Sequence, residues 1–185
     1  TARKRNRTYI QKAIALLESW VLNTVIGKTI GKADHQFGGT EADRITDFQE
    51  AMNDDSIKAI WCARGGYGTV RILDALDFSG FLLNPKWVVG FSDITALHSH
   101  LHNFEIQTIH GLMPITVKSS TDDAINSLKN SLFGNNIAHK VVCENQNKYG
   151  KGQGVLVGGN LSMLYSLLDV SYTTLKLPKE DLSET

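Results

Sequence analysis

Apolar residues in this chain recur at two spacings, which divide it into alternating helices and strands. Spacings of three and four residues predict helices over 6–20, 93–104 and 161–168, and after Thr40, the glycines at 65–68 and Thr121. Unbroken apolar runs predict strands over 21–26, 58–63, 86–90, 107–110 and 154–160. Apolar strands that alternate with helices are typical of a parallel sheet covered on both faces. We therefore predict an α/β fold with a parallel sheet flanked by helices.

The composition of the chain changes after about residue 135. Residues 144–152 are polar and rich in glycine, which is typical of a loop or linker. We predict an N-terminal α/β domain over 1–135, and in 136–185 a linker and the start of a second, C-terminal domain. The helix over 161–168 is apolar enough to be expected in a buried position.

The bulk composition excludes several classes of function. The chain has 185 residues, 42% of them hydrophobic and 21% charged, which is ordinary for a globular protein. Its 19 basic and 19 acidic residues cancel, so no basic excess indicates nucleic acid or an anionic membrane as a partner. No apolar run approaches the roughly 18 residues of a membrane span. The two cysteines do not indicate a disulfide-stapled fold, and Cys62, inside an apolar strand, is expected to be a buried thiol.

The first candidate for chemistry is Ser92, where a predicted strand ends and a helix begins at Asp93. A serine at such a corner exposes its hydroxyl beside backbone N–H groups at a helix N-terminus, which suits a nucleophile next to a developing oxyanion. The alternative is an ordinary helix N-cap. Gly90 matches the first glycine of a G-x-S-x-G elbow, but Ile94 stands at the second, so an ordinary α/β-hydrolase is not indicated.

The second candidate is the glycine turn from Arg64 to Gly68, which also follows a predicted strand. Such a turn could be merely tight, could cradle a phosphate, or could donate backbone N–H groups to an oxyanion. A dinucleotide fingerprint is incomplete because Arg71 stands at its last glycine position. A nucleotide-binding α/β domain therefore remains an alternative with little support.

Histidines offer a third kind of site. His98 and His102 have the spacing of metal ligands on a helix, but Ser99 replaces the Glu of an H-E-x-x-H motif. A partly exposed helix face is the favoured interpretation, and we predict no metal site. His110 ends a predicted strand, as Ser92 and Arg64 do, and the carboxyl ends of parallel strands meet at one edge of a sheet. These three residues are therefore expected to share one site.

Several motifs occur in a fixed order along most of the chain. They are Arg64-Gly65-Gly66-Tyr67-Gly68, Arg71-Ile72-Leu73-Asp74, Asn84-Pro85-Lys86, the run from Gly90 to His98, Thr108-Ile109-His110-Gly111, and Gly158-Gly159-Asn160-Leu161-Ser162. This series resembles the LD-carboxypeptidases, a family of serine peptidases that includes the microcin C immunity peptidases. The resemblance extends from the first helix to about residue 168.

The resemblance implies a concrete chemistry. Members of this family are cytoplasmic bacterial enzymes of murein recycling, and they cleave the bond between the L centre of a diamino acid and the terminal D-Ala of a murein tetrapeptide. They use a Ser-Glu-His triad with no metal or other cofactor, and they often form homodimers. The nucleophile corresponds to Ser92, and the oxyanion donors to backbone N–H groups of Gly65, Gly66 and Asp93. Arg64 and His110 would line the substrate site. The implied partner is a peptide, with neither nucleic acid nor membrane.

The chain departs from the family pattern after Gly158-Gly159-Asn160. The family's Glu and His lie beyond that motif, whereas no residue over 169–185 matches the Glu motif and His139 is the last histidine. We expect a Glu–His pair to come from a further C-terminal segment, since a serine without a base is a weak nucleophile. Two alternatives stay open, a microcin-type peptide hydrolase of the same family and a catalytically dead module that binds peptides.

Overall fold

A computed structural model describes residues 10–135, 137–139 and 150–168 of the chain. Three short strands form one parallel sheet in the order β1 (Ala59–Trp61), β2 (Trp87–Gly90) and β3 (Ile109–His110). Ile60 is in register with Val88, and Val89 with Ile109. The predicted class is confirmed, since the sheet is parallel and helices cover it.

Seven α-helices are described around this sheet. They are α1 (Gln11–Ser19), α2 (Glu41–Asn53), α3 (Thr69–Leu73), α4 (Ser79–Leu83), α5 (Thr95–His102), α6 (Asp122–Leu132) and α7 (Leu161–Leu168). Short 3₁₀ helices cover Ser92–Ile94 and Pro114–Ser119. The helix predicted after Thr40 begins with a capping box: the Asp43 N–H donates to Thr40 Oγ1 at 3.1 Å, and the Thr40 N–H donates to the Asp43 carboxylate at 3.1 Å. Thr121 caps α6 with one side-chain hydrogen bond, in which its Oγ1 accepts from the Ala124 N–H at 3.3 Å.

The hydrophobic core lies where β2 and α5 meet the helices that precede them. Val88 and Val89 of β2 are both buried, so this central strand is covered on both faces. The core cluster contains Phe48, Met52, Cys62, Leu73, Phe78, Phe81, Val88, Ile94, Leu97, Leu101 and Met113. Cys62 is buried as predicted, and burial raises the pKa of its thiol to about 11, which leaves the thiol protonated and unreactive. Within the described residues, no helix is long and apolar enough to cross a membrane.

Two predicted strands do not form, over 21–26 and 154–160. Side chains in both runs are exposed, with Val21 at 92% and Leu156 at 98% of their full accessible surface. An apolar run becomes a strand only when a neighbouring strand takes up its backbone hydrogen bonds. Neither run pairs with a strand in the described part of the chain.

The helix predicted over 161–168 forms, but its expected burial is wrong. Leu167 is buried, whereas Leu161 and Tyr165 are 79% and 75% exposed. The physical reason is that, within the described part of the chain, α7 packs mainly on α5, so that Leu161 and Tyr165 lie away from a covering element. Other predictions fall partly outside the described residues, including the start of the helix over 6–20 and residues 144–149 of the linker predicted over 144–152. The division at residue 135 remains a prediction.

Candidate active site

Ser92 lies at a sharp corner just beyond the carboxyl end of β2. Its φ angle is 61°, in the left-handed region that residues other than glycine rarely adopt. Gly90 permits the corner, because a Cβ there would lie 2.8 Å from Ile94 Cγ1 in the next turn. Backbone conformations of this kind are concentrated at functional sites, where the surrounding structure enforces them.

The glycine turn that follows β1 packs directly on the Ser92 corner. A Cβ on Gly65 would lie 3.2 Å from Ser92 Cβ and 3.4 Å from the backbone nitrogen of Asp93. Gly65 is buried, its neighbour Gly66 is half-buried, and Tyr67 is 77% exposed. The glycine at position 65 thus brings the backbone of this turn close to the backbone of Asp93. The predicted oxyanion donors Gly65 and Asp93 are therefore neighbours in space.

The Asp93 carboxylate joins the two turns, a role that the sequence analysis missed. The side chain is fully buried, and its Oδ2 accepts hydrogen bonds from the Gly68 N–H at 3.2 Å, the Thr69 N–H at 3.1 Å and the Thr69 hydroxyl at 2.7 Å. The sequence does contain a signal for this contact. Gly68 precedes α3 and has no side chain to cap it, so the first N–H groups of the helix need an acceptor from elsewhere in the chain. The cap comes instead from Asp93, beside the predicted nucleophile.

A buried arginine on α2 also contacts this turn and was missed. Arg44 is 1% exposed, and its Nη1 donates to the Gly68 carbonyl at 2.8 Å. Its guanidinium stacks over the Phe37 ring at 5.0 Å, and its Nη2 lies 4.0 Å from Glu41 Oε1. Burial lowers the pKa of Arg44. The pKa of an arginine is ordinarily so far above neutral pH that the guanidinium still keeps its charge.

The prediction that His98 lies on a partly exposed helix face is wrong. His98 and His100 are 6% and 8% exposed, since nearly all of α5 is buried. His98 Nε2 lies 2.9 Å from the Gly90 carbonyl, and because a carbonyl only accepts, that nitrogen carries the proton. The His98 ring stacks on His110 with centroids 5.9 Å apart. Burial lowers the pKa of both His98 and His110.

Neighbouring strands place the predicted site residues along one edge of the sheet. Arg64 follows β1, Ser92 follows β2, and His110 ends β3, where it is in register with Gly90. Phe91 stacks on the His110 ring at 6.4 Å, which links the approach to the Ser92 corner with β3. Among the described residues, no group of three or more His, Cys, Asp or Glu side chains could hold a metal ion.

The motif Gly158-Gly159-Asn160 lies against the first turn of α5. The Asn160 N–H donates to Thr95 Oγ1 at 3.0 Å, and a Cβ on Gly159 would overlap the Thr95 side chain. Asn160 also begins α7, since its Oδ1 accepts from the Met163 N–H at 3.1 Å. A segment 65 residues beyond Thr95 thus reaches the helix that follows Ser92.

Comparison with known sequences identifies the family of the chain. A model of the LD-carboxypeptidase N-terminal domain matches residues 1–111, more than half of the chain. The chain belongs to the LD-carboxypeptidase family. It is 35% identical over 176 residues to a probable murein peptide carboxypeptidase of Bacillus subtilis, covering 88% of this chain and 53% of that protein.

Two further relatives carry names of different specificity. The murein tetrapeptide carboxypeptidase of Pseudomonas aeruginosa is 28% identical, with 84% of this chain and 54% of that protein covered. The microcin C7 self-immunity protein MccF of Escherichia coli is 26% identical, with 89% of this chain and 56% of that protein covered. The chain thus spans about half the length of the curated relatives that it matches.

Solved structures agree on the fold. Wild-type MccF without ligand superposes with a TM-score of 0.70 at 22% identity, covering 87% of this chain and 58% of that one. A structure of MccF in complex with glutamyl sulfamoyl guanosine gives a TM-score of 0.63 at 26% identity, covering 67% of this chain and 38% of that one. The LD-carboxypeptidase family and its fold are therefore established for the chain.

Proposed function

We propose that this chain carries the nucleophile and the oxyanion-binding turn of a serine-type LD-carboxypeptidase. Its substrate is a murein tetrapeptide, which it cleaves between the L centre of the diamino acid and the terminal D-Ala. The observation that carries this proposal is the left-handed backbone of Ser92, packed against Gly65. The names of the Bacillus and Pseudomonas relatives support the reaction and the substrate class.

The proposed reaction follows the general logic of serine acyl transfer. Ser92 Oγ attacks the scissile carbonyl and gives its proton to a base, and the carbonyl oxygen becomes an oxyanion. Backbone N–H groups of Asp93 and of Gly65 or Gly66 donate to that oxyanion. The C–N bond then breaks, D-Ala leaves with the transferred proton on its amine, and water hydrolyses the acyl-enzyme. In the family the base is a Glu–His pair that lies beyond the Gly158-Gly159-Asn160 motif, and we propose the same kind of base for Ser92.

Arg64 and His110 are the proposed substrate contacts. Both follow or end strands that neighbour β2, so they border the Ser92 corner on either side. A guanidinium is the side chain best suited to a carboxylate, such as the terminus of a D-Ala residue. The reaction needs no metal or cofactor in this scheme. A cytoplasmic location and a homodimer remain predictions from the family resemblance.

A microcin-type peptide hydrolase is the second candidate. The similarity to MccF, whose solved structures include a complex with a sulfamoyl guanosine, is the observation that favours it. Both reactions would use Ser92 and the same oxyanion donors, so substrate preference distinguishes them. Release of D-Ala from the tetrapeptide, compared with cleavage of an aminoacyl sulfamoyl nucleoside, measures that preference directly.

The deciding experiment is mass spectrometry of D-Ala released from a murein tetrapeptide by a protein that carries this chain together with the family's Glu and His, because Ser92 needs a base. We expect Ser92→Ala to lower kcat by at least about 10³-fold, since removing a nucleophile leaves only residual catalysis. The exposed serine in Ser56→Ala is the control and should leave the rate unchanged. Release that does not depend on Ser92 contradicts the proposal. Absence of release together with calorimetric binding of the tetrapeptide would instead favour a binding module.

Ser92→Gly provides a matched control for the backbone conformation. Both Ser92→Ala and Ser92→Gly remove the hydroxyl, but only glycine adopts a φ near 61° without steric cost. We expect Ser92→Gly to be more stable than Ser92→Ala by about 1 kcal/mol in urea denaturation. Equal stabilities would mean that the corner stores no strain at Ser92.

A further inference from the structure

We propose that Arg44 is a positioning residue for the oxyanion-binding turn, and that with Asp93 it fixes the orientation of the peptide group between Gly68 and Thr69. The inferred contacts belong to the chain itself, and only their effect on catalysis rests on the proposed function. Neither the family resemblance nor the sequence pattern assigns a role to Arg44.

The two charged side chains contact opposite ends of one peptide group. The Gly68 carbonyl accepts from Arg44 Nη1 at 2.8 Å, and the Thr69 N–H of the same peptide donates to Asp93 Oδ2 at 3.1 Å. Because a peptide group is planar, contacts at its two ends fix its orientation. Charged partners make these hydrogen bonds stronger than bonds between neutral groups.

This fixed peptide lies directly beyond the predicted oxyanion donors. Gly65 and Gly66 precede Gly68 in the same turn, and Asp93 follows Ser92 at the facing corner. The turn therefore has two constraints, the packing of Gly65 on Ser92 and the hydrogen bonds on Gly68. Oxyanion stabilisation depends on donors that are held in place before the reaction begins. Loss of the Arg44 contact should therefore act on the donors at 65–66 without removing any of them.

The burial of Arg44 argues against a role in packing alone. Its side chain has no exposed surface, and among the described residues its Nε and Nη2 have no hydrogen-bond partner. The facing Asp93 Oδ1 is likewise buried without one in this part of the chain. Burying charged groups with polar atoms unsatisfied is costly, and a hydrophobic side chain of similar volume would avoid the cost. Among the described residues, the hydrogen bond that the Arg44 guanidinium does make is with the Gly68 carbonyl, beside a longer 4.0 Å ion pair with Glu41.

Arg71 provides a matched control in the same neighbourhood. It stacks over the same Phe37 ring at 5.3 Å, and its Nε forms a 3.1 Å ion pair with Glu41. Its side chain is 55% exposed, and the contacts described for it are with Phe37 and Glu41 and not with the glycine turn. Arg44 and Arg71 thus share an aromatic and an acidic neighbour but differ in the contact with Gly68.

The test compares Arg44→Met, Arg44→Lys and Arg71→Met by hydrogen exchange over residues 64–70 in the full 185-residue chain. We expect exchange there to be faster by about 10-fold or more in Arg44→Met, because a hydrogen bond to a charged group is lost. Arg44→Lys should restore part of the protection, and Arg71→Met should match the parent chain. Parent-like exchange in Arg44→Met overturns the proposal. If Arg44→Met fails to fold, Arg44→Gln, which is too short to reach Gly68, is measured with the same expectation and the same overturning result.

Kinetics then test the catalytic consequence separately. For D-Ala release we expect Arg44→Met to lower kcat about 10- to 100-fold with KM nearly unchanged, since misplaced oxyanion donors affect the transition state and not substrate binding. Faster exchange with an unchanged kcat overturns the catalytic consequence. If a protein that also carries the family's Glu and His releases no D-Ala, the proposed function fails, whereas the exchange comparison on this chain still decides the role of Arg44 in the turn.

Discussion

Two glycine-containing segments contact the region around Ser92, and they are attached in different ways. The first, residues 64–68, is held by buried charged side chains, with Arg44 on the Gly68 carbonyl and Asp93 on the Gly68 N–H. Among the described residues, the second segment, residues 158–160, is held by the hydrogen bond from the Asn160 N–H to Thr95 and by the close approach of Gly159. Their surroundings differ as well, since Gly65 is buried whereas Leu156, just before the second segment, is 98% exposed.

The difference separates a constraint built into the core from a contact made at its surface. Displacing the first segment requires breaking buried, charge-assisted hydrogen bonds, so it should open only when the domain unfolds. Displacing the second breaks an uncharged, partly buried hydrogen bond to Thr95, so it should open locally at a lower free energy. In our proposal, the first segment carries the oxyanion donors, which need such rigidity.

Gly65→Ala should produce the largest effect on the first segment. The new Cβ would lie 3.2 Å from Ser92 Cβ and 3.4 Å from the Asp93 nitrogen, and neither atom can move without moving the corner. We expect a loss of about 1–3 kcal/mol in the free energy of unfolding, and a fall of about 10²-fold in D-Ala release. Urea denaturation and the D-Ala assay measure the two effects.

Gly80→Ala on α4 is the matched control for that substitution. The new Cβ would lie 3.6 Å from Asn53 Oδ1, which is an ordinary van der Waals distance. Alanine also favours a helix over glycine, so the control should be neutral or slightly stabilising. A Gly65→Ala protein as stable and active as Gly80→Ala would mean that the two turns are not constrained against each other.

Gly159→Ala should loosen the second segment and should lower the global stability of the protein less than Gly65→Ala does. A Cβ there would overlap the Thr95 side chain, so the Asn160–Thr95 hydrogen bond should break and α7 should separate from α5. We expect faster hydrogen exchange over residues 156–168 and a change below about 1 kcal/mol in global stability. Gly154→Ala, which meets no atom within 4 Å, is the control. Equal exchange in the two variants would contradict the comparison.

Local patterns in the sequence were sufficient for the central elements of the fold. The strand before Ser92, the helix after it and the Thr40 capping box all depend on residues within a few positions of one another. The same is true of the glycine turn after β1. The site was therefore predicted at strand ends that the sheet does bring side by side.

Long-range contacts account for what was missed. Arg44 lies 24 residues before Gly68, and Asp93 lies 25 residues after it, so no local pattern links them. The apolar runs over 21–26 and 154–160 were interpreted as strands, although an apolar run does not reveal whether a neighbouring strand will pair with it. The burial of His98 was missed for the same reason, since the spacing of histidines on α5 does not show which other elements cover that helix.

The buried His98, which contacts the strand end before Ser92, should make the free energy of unfolding depend on pH. This is the smallest effect that we predict. Burial lowers its pKa below the ordinary value of 6.5, so the unfolded chain binds more protons at this residue than the folded chain does. Its contribution to stability is therefore fully present above pH 6.5 and is lost as the pH falls through the lowered pKa. His98→Gln keeps a donor for the Gly90 carbonyl but does not titrate, so between about pH 7.5 and pH 5 its free energy of unfolding should fall less steeply than that of the parent chain. His110, with a lowered pKa of its own, leaves part of the slope in place. The free energy of unfolding is measured by urea denaturation at each pH. If it changes with pH equally in the parent chain and in His98→Gln, His98 is protonated without disturbing the strand end that precedes Ser92.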